Sequence, residues 1–262
     1  MKLAVIIPVY NAENTIRKAV KSIDTTHDVE IICINDGSTD GTKQVLTELQ
    51  KEVKHLIVYH QDNQGAAKSR NIGLSAMSDD IDAFMFLDAD GQFLPGKMDQ
   101  MIQYYEKNNH LDIVIGQIGR GMNGDWKVIP THEDINREAI VSLAEAPEIL
   151  QSIGPGGKLF KAKFNTLRFD EDVVFCEEHT FVTHAYLMAR DIQLLPFIVY
   201  GYNEQEGSIT DQRADTFISY LEDARKVRHE VMDMLLLVNE KAYYSYRMDD
   251  LIVRYLIQAC LL

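Results

Sequence analysis

The sequence predicts an α/β domain organised around a mainly parallel sheet flanked by helices. Over the first 116 residues, short unbroken apolar runs alternate with helical repeats. The runs lack the in–out alternation of a half-exposed strand, so they read as strands buried on both faces, and turns rich in Asp, Asn and Gly close them. Leu3–Val9 is the first strand, and Ala12–Ile23 carries helical spacing behind it. Glu30–Ile34 with Gly41–Leu49, Leu56–Tyr59 with Gly65–Ala76, and Ala83–Leu87 with Pro95–Tyr105 repeat the unit, and Asp112–Ile115 is a fifth strand. Right-handed crossovers place the strands' C-terminal ends on one edge, where open α/β sheets bind their ligands. The turns Pro8–Asn11, Asn35–Asp40, Asp62–Gly65 and Asp88–Gly91 are therefore expected to converge there.

The rhythm changes after residue 116. Gly119–Gly124 reads as a loop, Asp134–Ala146 as a helix and Gly154–Gly157 as a tight turn. Glu177–Met188 reads as a helix and Gln193–Tyr200 as a strand. From Asp211 to about Asn239, Phe217, Leu221, Ala224, Val227, Val231, Met234, Leu235 and Val238 recur at helical spacing. A last helix, Met248–Cys260, is apolar nearly all round through Leu251, Ile252, Tyr255, Leu256 and Ala259. Three partners remain open for it: its own domain, a second copy of the chain, or a further C-terminal domain.

Composition sets outer bounds. The chain has 262 residues, 46% of them hydrophobic, and 26 Lys+Arg against 40 Asp+Glu give a net charge of −14. That supports a globular core and argues against a nucleic-acid-binding surface. Cys33, Cys176 and Cys260 are widely spaced with no CxxC pair, so neither a disulfide framework nor a thiolate zinc site is expected. A reducing cytoplasm is the simplest setting. No apolar stretch reaches the roughly 20 residues of a membrane span.

The strand ends carry the chemistry. A dinucleotide fold needs GxGxxG after its first strand; here that turn reads Pro8-Val9-Tyr10-Asn11, and a P-loop is absent too. Asp36 sits at the tip of the second strand, where a carboxylate can accept from a base N–H. The fourth strand runs into Asp88-Ala89-Asp90-Gly91. Two carboxylates two residues apart after a buried strand suit a shared cation with oxygen ligands, Mg²⁺ or Mn²⁺. A bare D-x-D is common by chance, and taken alone a solvated turn is the better reading than a metal site.

Taken together and in order, Val5–Asn11, Asn35–Thr42, Asn63-Gln64-Gly65-Ala66-Ala67-Lys68-Ser69-Arg70-Asn71-Ile72-Gly73 and Leu87–Gly91 resemble the inverting glycosyltransferases of family 2, as found in enzymes of bacterial cell-surface polysaccharides and teichoic acids. The resemblance implies a GT-A fold, with a Rossmann-like sheet and here a helical C-terminal extension. It implies that Pro8, Val9, Tyr10, Asn11, Asn63 and Ala89 line a nucleotide-sugar pocket and that Asp36 binds uracil. Lys68 and Arg70 would face the base or diphosphate, Asp90 would hold the metal, and Asp88 would contact the ribose or share the metal. Residues 1–210 would form the catalytic domain, 1–116 binding the nucleotide and 117–210 the acceptor, with 211–262 a helical segment.

A looser match continues through Gly156–Lys161 and Leu167–Phe169 to Glu177-Glu178-His179. Family members usually carry Glu-Asp in that last segment, the Asp being the catalytic base; here Glu178 takes the position, with Glu177 beside it. Lys158, Lys161 and Arg168, next to it in sequence, are candidates for a phosphate-bearing acceptor. His132, His179 and His184 lack metal-ligand spacing and read as structural. The implied reaction is metal-dependent, non-processive transfer of a hexosyl or N-acetylhexosaminyl group from a UDP-sugar to a glycan or polyol-phosphate polymer, in the cytoplasm or at the inner face of the membrane. Two alternatives stand: a degenerate module that binds without catalysing, and a sugar nucleotidyltransferase.

Overall fold

The computed structural model describes residues 1–108, 110–122, 124–203 and 217–237. Ten strands form one sheet: β1 (Lys2–Val9), β2 (Asp28–Asp36), β3 (Leu56–Gln61), β4 (Ala83–Phe86), β5 (Gly91–Phe93), β6 (Ile113–Met122), β7 (Asp125–Val128), β8 (Ala139–Val141), β9 (Lys158–Lys161) and β10 (Ile192–Asn203). The main order is β3-β2-β1-β4-β9-β6-β10-β5, with β7 on β6 and β8 on β10. β3, β2, β1 and β4 are mutually parallel, and β6 pairs in parallel with β10.

Helices cover both faces, as unbroken apolar strands require. α1 (Ile16–Lys21), α2 (Thr42–Glu52) and α4 (Lys97–Lys107) pack on the face carrying Leu3, Val5, Ile7, Cys33 and Met85. α3 (Ala66–Ala76), α5 (Glu178–Met188) and α6 (Phe217–Met234) pack on the other, against Ala4, Ile6, Ile34, Phe84 and Phe86. Here six phenylalanines interlock; Phe86 meets Phe160, Phe169 and Phe181 edge-on, and Phe169 stacks on Phe181 at 4.2 Å. α3 lies so close to β1 that a Cβ at Gly73 would sit 2.3 Å from Ile6 Cγ2.

Several sequence expectations need correction. β9, where the sequence announced no strand, enters antiparallel between β4 and β6. Four residues, Lys-Leu-Phe-Lys, give too short a pattern to announce a strand. The loop expected over Gly119–Gly124 is the end of β6 turning into β7. The helix expected over Asp134–Ala146 is replaced by a turn and β8, which supplies ladder partners to Ile192–Leu194 at the start of β10. Satisfying that strand's backbone outweighs a helical spacing that also buries Ile135, Val141 and Leu143. α1 is shorter than Ala12–Ile23, because Ala12–Thr15 form a turn before it. The last helix, Met248–Cys260, lies outside the described residues.

Gly73→Ala should push α3 off β1 and destabilise the fold by about 1–3 kcal/mol, the usual cost of an inserted methyl in a packed core. Urea unfolding followed by circular dichroism measures it; an unchanged midpoint would show that the contact is slack.

Candidate active site

The C-terminal ends of β1, β2, β3 and β4 meet on one edge, as crossover geometry demands. Their loops are tied to one another. Asn11, with φ at +46°, donates its N–H to Ser38 Oγ at 3.0 Å, and its Oδ1 accepts from Thr39 N at 2.8 Å. Tyr10 beside it is 48% exposed and stands at the rim. Pro8 and Val9 pair with Ile34 and Asn35 of β2, and Val9 is buried. Asp36 is buried. It accepts from Gln61 Nε2 at 2.6 Å, Gln64 N at 2.8 Å and Gly65 N at 2.8 Å. Its carboxylate thus shapes the loop that exposes Asn63, and three of its lone pairs are already engaged.

Asp88, directly after β4, accepts three hydrogen bonds, as Asp36 does, but from side chains of two other elements. Its Oδ1 accepts from Arg70 Nη2 at 3.1 Å, and its Oδ2 accepts from Tyr200 Oη at 3.1 Å and Tyr202 Oη at 2.8 Å. The tyrosines arrive because β5 pairs antiparallel with β10, setting Tyr202 opposite Gly91 and Tyr200 opposite Phe93. Only glycine fits at residue 91, since a Cβ there would lie 2.1 Å from Tyr200 Oη. Burial, and the charge of Asp88, hold both phenols well above their ordinary pKa, so they act as donors. Asp90 lies at the exposed rim with Ala89 half-buried before it. Desolvation and the neighbouring charge of Asp88 push its carboxyl up from 3.8.

The other wall is the start of α5. Cys176, at φ +68°, turns the chain left-handed immediately before Glu177, a conformation that costs a non-glycine residue of order 1–3 kcal/mol. Glu177 is buried and takes Arg70 Nη1 at 2.7 Å. Burial raises its pKa, and the charge of Glu178 adds to this against the pull of Arg70. Glu178, the first residue of α5, is half-buried and open to the site. Its charge is felt by Arg70, Lys158 and Tyr202, which places it between the two walls.

The basic cluster read from the sequence is not one cluster. β9 runs antiparallel, so Lys158 stands near the site edge while Lys161 pairs with Ala83 at the opposite end, roughly 10 Å along the strand. Lys161 and Lys163 there approach Asp112 at 4.0 and 2.6 Å. Arg168 is turned onto backbone carbonyls of Asn165 and Leu167 and onto Ser75 Oγ. Lys68 pairs with Glu171 at 2.7 Å, on a groove of about 520 Å³ along α3 that Arg168 also lines. An acceptor-binding role for Lys161 and Arg168 does not fit this placement.

Lys158 is fully buried, with Nζ donating to Ser152 Oγ at 2.7 Å and to the Gly154 carbonyl. Ser152 Oγ also meets His132 Nε2 at 2.8 Å, and His132 Nδ1 faces the Gly116 carbonyl at 3.2 Å. His132 is structural, as expected. Burial and the charge of Lys158 keep its pKa well below 6.5.

Sequence reading missed three residues. Tyr200 and Tyr202 share one face of β10, and their period-2 spacing was the available signal. Asn71 was singled out only as part of a motif. It is a clamp: Nδ2 donates to the Phe169 carbonyl, and Oδ1 accepts from Phe169 N, both at 2.9 Å.

The profile described as Glycosyl transferase family 2 matches residues 4–172, well over half the chain. The chain belongs to that family. As a family 2 glycosyltransferase it is similar to TagX of Staphylococcus aureus, 36% identical over 256 residues that cover 96% of this chain and 72% of TagX. Glycosyltransferase GlyA of Streptococcus pneumoniae is 30% identical over 94% of this chain and 37% of its own length. Among solved structures, residues 1–349 of Staphylococcus aureus TarS, in complex with UDP-GlcNAc, superpose with a TM-score of 0.76. That match has 23% identity and covers 98% of this chain and 72% of that one, which establishes the GT-A fold. No helix among the described residues is long and apolar enough to cross a membrane.

Burial lowers the Lys158 pKa from 10.5 to about 7, partly offset by Glu178. The unfolded chain therefore binds the extra proton between those values, and through Lys158 folding stability rises with pH across that window. Lys158→Met should flatten the rise. Thermal unfolding of both proteins from about pH 7 to pH 9.5 measures the difference, and parallel curves would mean that Lys158 titrates normally.

Proposed function

We propose that this glycosyltransferase moves a hexosyl or N-acetylhexosaminyl group from a UDP-sugar to a hydroxyl of a polyol-phosphate or related cell-surface polymer, with inversion at the anomeric carbon. The observation that carries the reading is that Arg70 joins Asp88, after β4, to Glu177, at the start of α5, so that the neighbouring Asp90 and Glu178 share one edge with Tyr202. Glu178 is the general base: it is the half-buried member of the pair, and as a carboxylate it can take the acceptor's proton as the oxygen attacks. The buried Glu177 is held by Arg70 and positions the start of the helix.

The donor set fits a divalent ion, Mn²⁺ or Mg²⁺. Asp90 is pushed toward protonation beside Asp88, and a cation there would reverse that push. No group of three or more His, Cys, Asp or Glu able to hold a metal occurs among the described residues, so diphosphate oxygens would complete the coordination. When bound, the ion would stabilise charge on the leaving diphosphate. The donor class is supported by the UDP-GlcNAc in the TarS complex. The acceptor class is supported by a 28% identical Bacillus spizizenii relative named a poly(ribitol-phosphate) beta-glucosyltransferase.

The test is hydrolysis and transfer across a panel of UDP-sugars with Mn²⁺. Glu178→Gln should lower turnover by about 10²–10⁴-fold with donor affinity retained. Asp90→Asn should abolish metal-dependent UDP binding. Wild-type binding of UDP without turnover toward any acceptor would favour a binding module instead, and retained turnover in Glu178→Gln would move the base to Glu177.

A further inference from the structure

The guanidinium of Arg70 lies between Asp88 and Glu177, at 3.1 and 2.7 Å, and the residue is only 7% exposed. It sits over the Phe169 ring, 5.3 Å from the centroid. Phe169 in turn stacks on Phe181 of α5, and its backbone is clamped by Asn71, the next residue along α3. Such a seat leaves the side chain no swing toward a nucleobase or diphosphate without breaking two ion pairs. The sequence placed Arg70 against the donor; the geometry places it between the protein's own acids.

We propose that Arg70 is a positioning residue, a resident counter-cation that fixes Asp88 against Glu177 and leaves the divalent ion to Asp90 and the donor diphosphate. The inference rests on the donor-and-metal reading above. Asp88, Asp90, Glu177 and Glu178 crowd one edge of the sheet. Without a cation, Asp88 and Asp90 would form an anionic pair able to capture a metal unaided. With Arg70 in place, Asp88 is committed on Oδ1 to the guanidinium and on Oδ2 to two phenols. Metal binding then depends on the oxygens that arrive with the nucleotide, and the same side chain sets the base geometry through Glu177. Lysine cannot replace it, because a point charge does not fork to two carboxylates.

Calorimetric titration of Mn²⁺ into wild type, R70M and R70M/E177Q, each with and without UDP, tests the proposal. The double variant removes the acid that R70M would leave buried and unpaired, and circular dichroism verifies folding. Wild type should bind Mn²⁺ weakly alone and far more tightly with UDP. Both variants should bind Mn²⁺ alone about tenfold or more tightly than wild type, since a competing unit charge at contact distance has gone. R70K should gain no Mn²⁺ affinity and still lose turnover, and R70M turnover should fall about 10²-fold with little change in donor KM. Mn²⁺ affinity without nucleotide that is unchanged in R70M and R70M/E177Q overturns the proposal. Failure of the wild type to bind any UDP-sugar overturns the donor reading instead, and the Mn²⁺-only arm then decides the role of Arg70 by itself.

Discussion

The carboxylate of Asp88 is the point on which the site is assembled. Four separate stretches of chain reach it: the end of β4 that carries it, α3 through Arg70, β10 through Tyr200 and Tyr202, and α5 at one remove through Glu177. The buried Arg70 guanidinium, the buried Tyr200 phenol and the partly buried Tyr202 phenol each need an acceptor, and one carboxylate serves all three. Its removal would strand polar groups in a low-dielectric interior, which explains why the first and second halves of the domain meet here and not along a loose seam.

That commitment gives the two aspartates of the D-x-D turn different work. Asp88 looks inward and organises. Asp90 stands at the rim, where desolvation and the charge of Asp88 hold its carboxyl above the ordinary range. The two glutamates at α5 divide in the same way, Glu177 paired and buried, Glu178 half-buried. Each wall thus has one acid bound to Arg70 and one that is more exposed.

The surroundings of Glu178 are set by packing at the start of α5. The left-handed turn at Cys176 and the phenylalanine stack of Phe169 on Phe181 fix where α5 begins. Beneath it, Lys158 is buried without a salt-bridge partner among the described residues, and its charge attracts Glu178. The lysine belongs to the foundations of the site and not to its solvent face.

Sequence by itself determined the strand–helix alternation and the edge on which Pro8–Asn11, Asp36, Asn63 and Asp88–Gly91 converge. Those follow from local periodicity and from turn residues whose backbone demands are written within a few positions. Only the tertiary structure decided what each side chain touches. Arg70 meets Glu177 across 107 residues, Tyr202 meets Asp88 across 114, and Asn71 clamps Phe169 across 98. It also decided that β9 runs antiparallel, which sends Lys158 inward and Lys161 to the far edge although they are three residues apart. A charge reads the same in sequence whether it is solvated or buried. Which it becomes is fixed by the surroundings that the rest of the chain folds around it, and no local pattern records those.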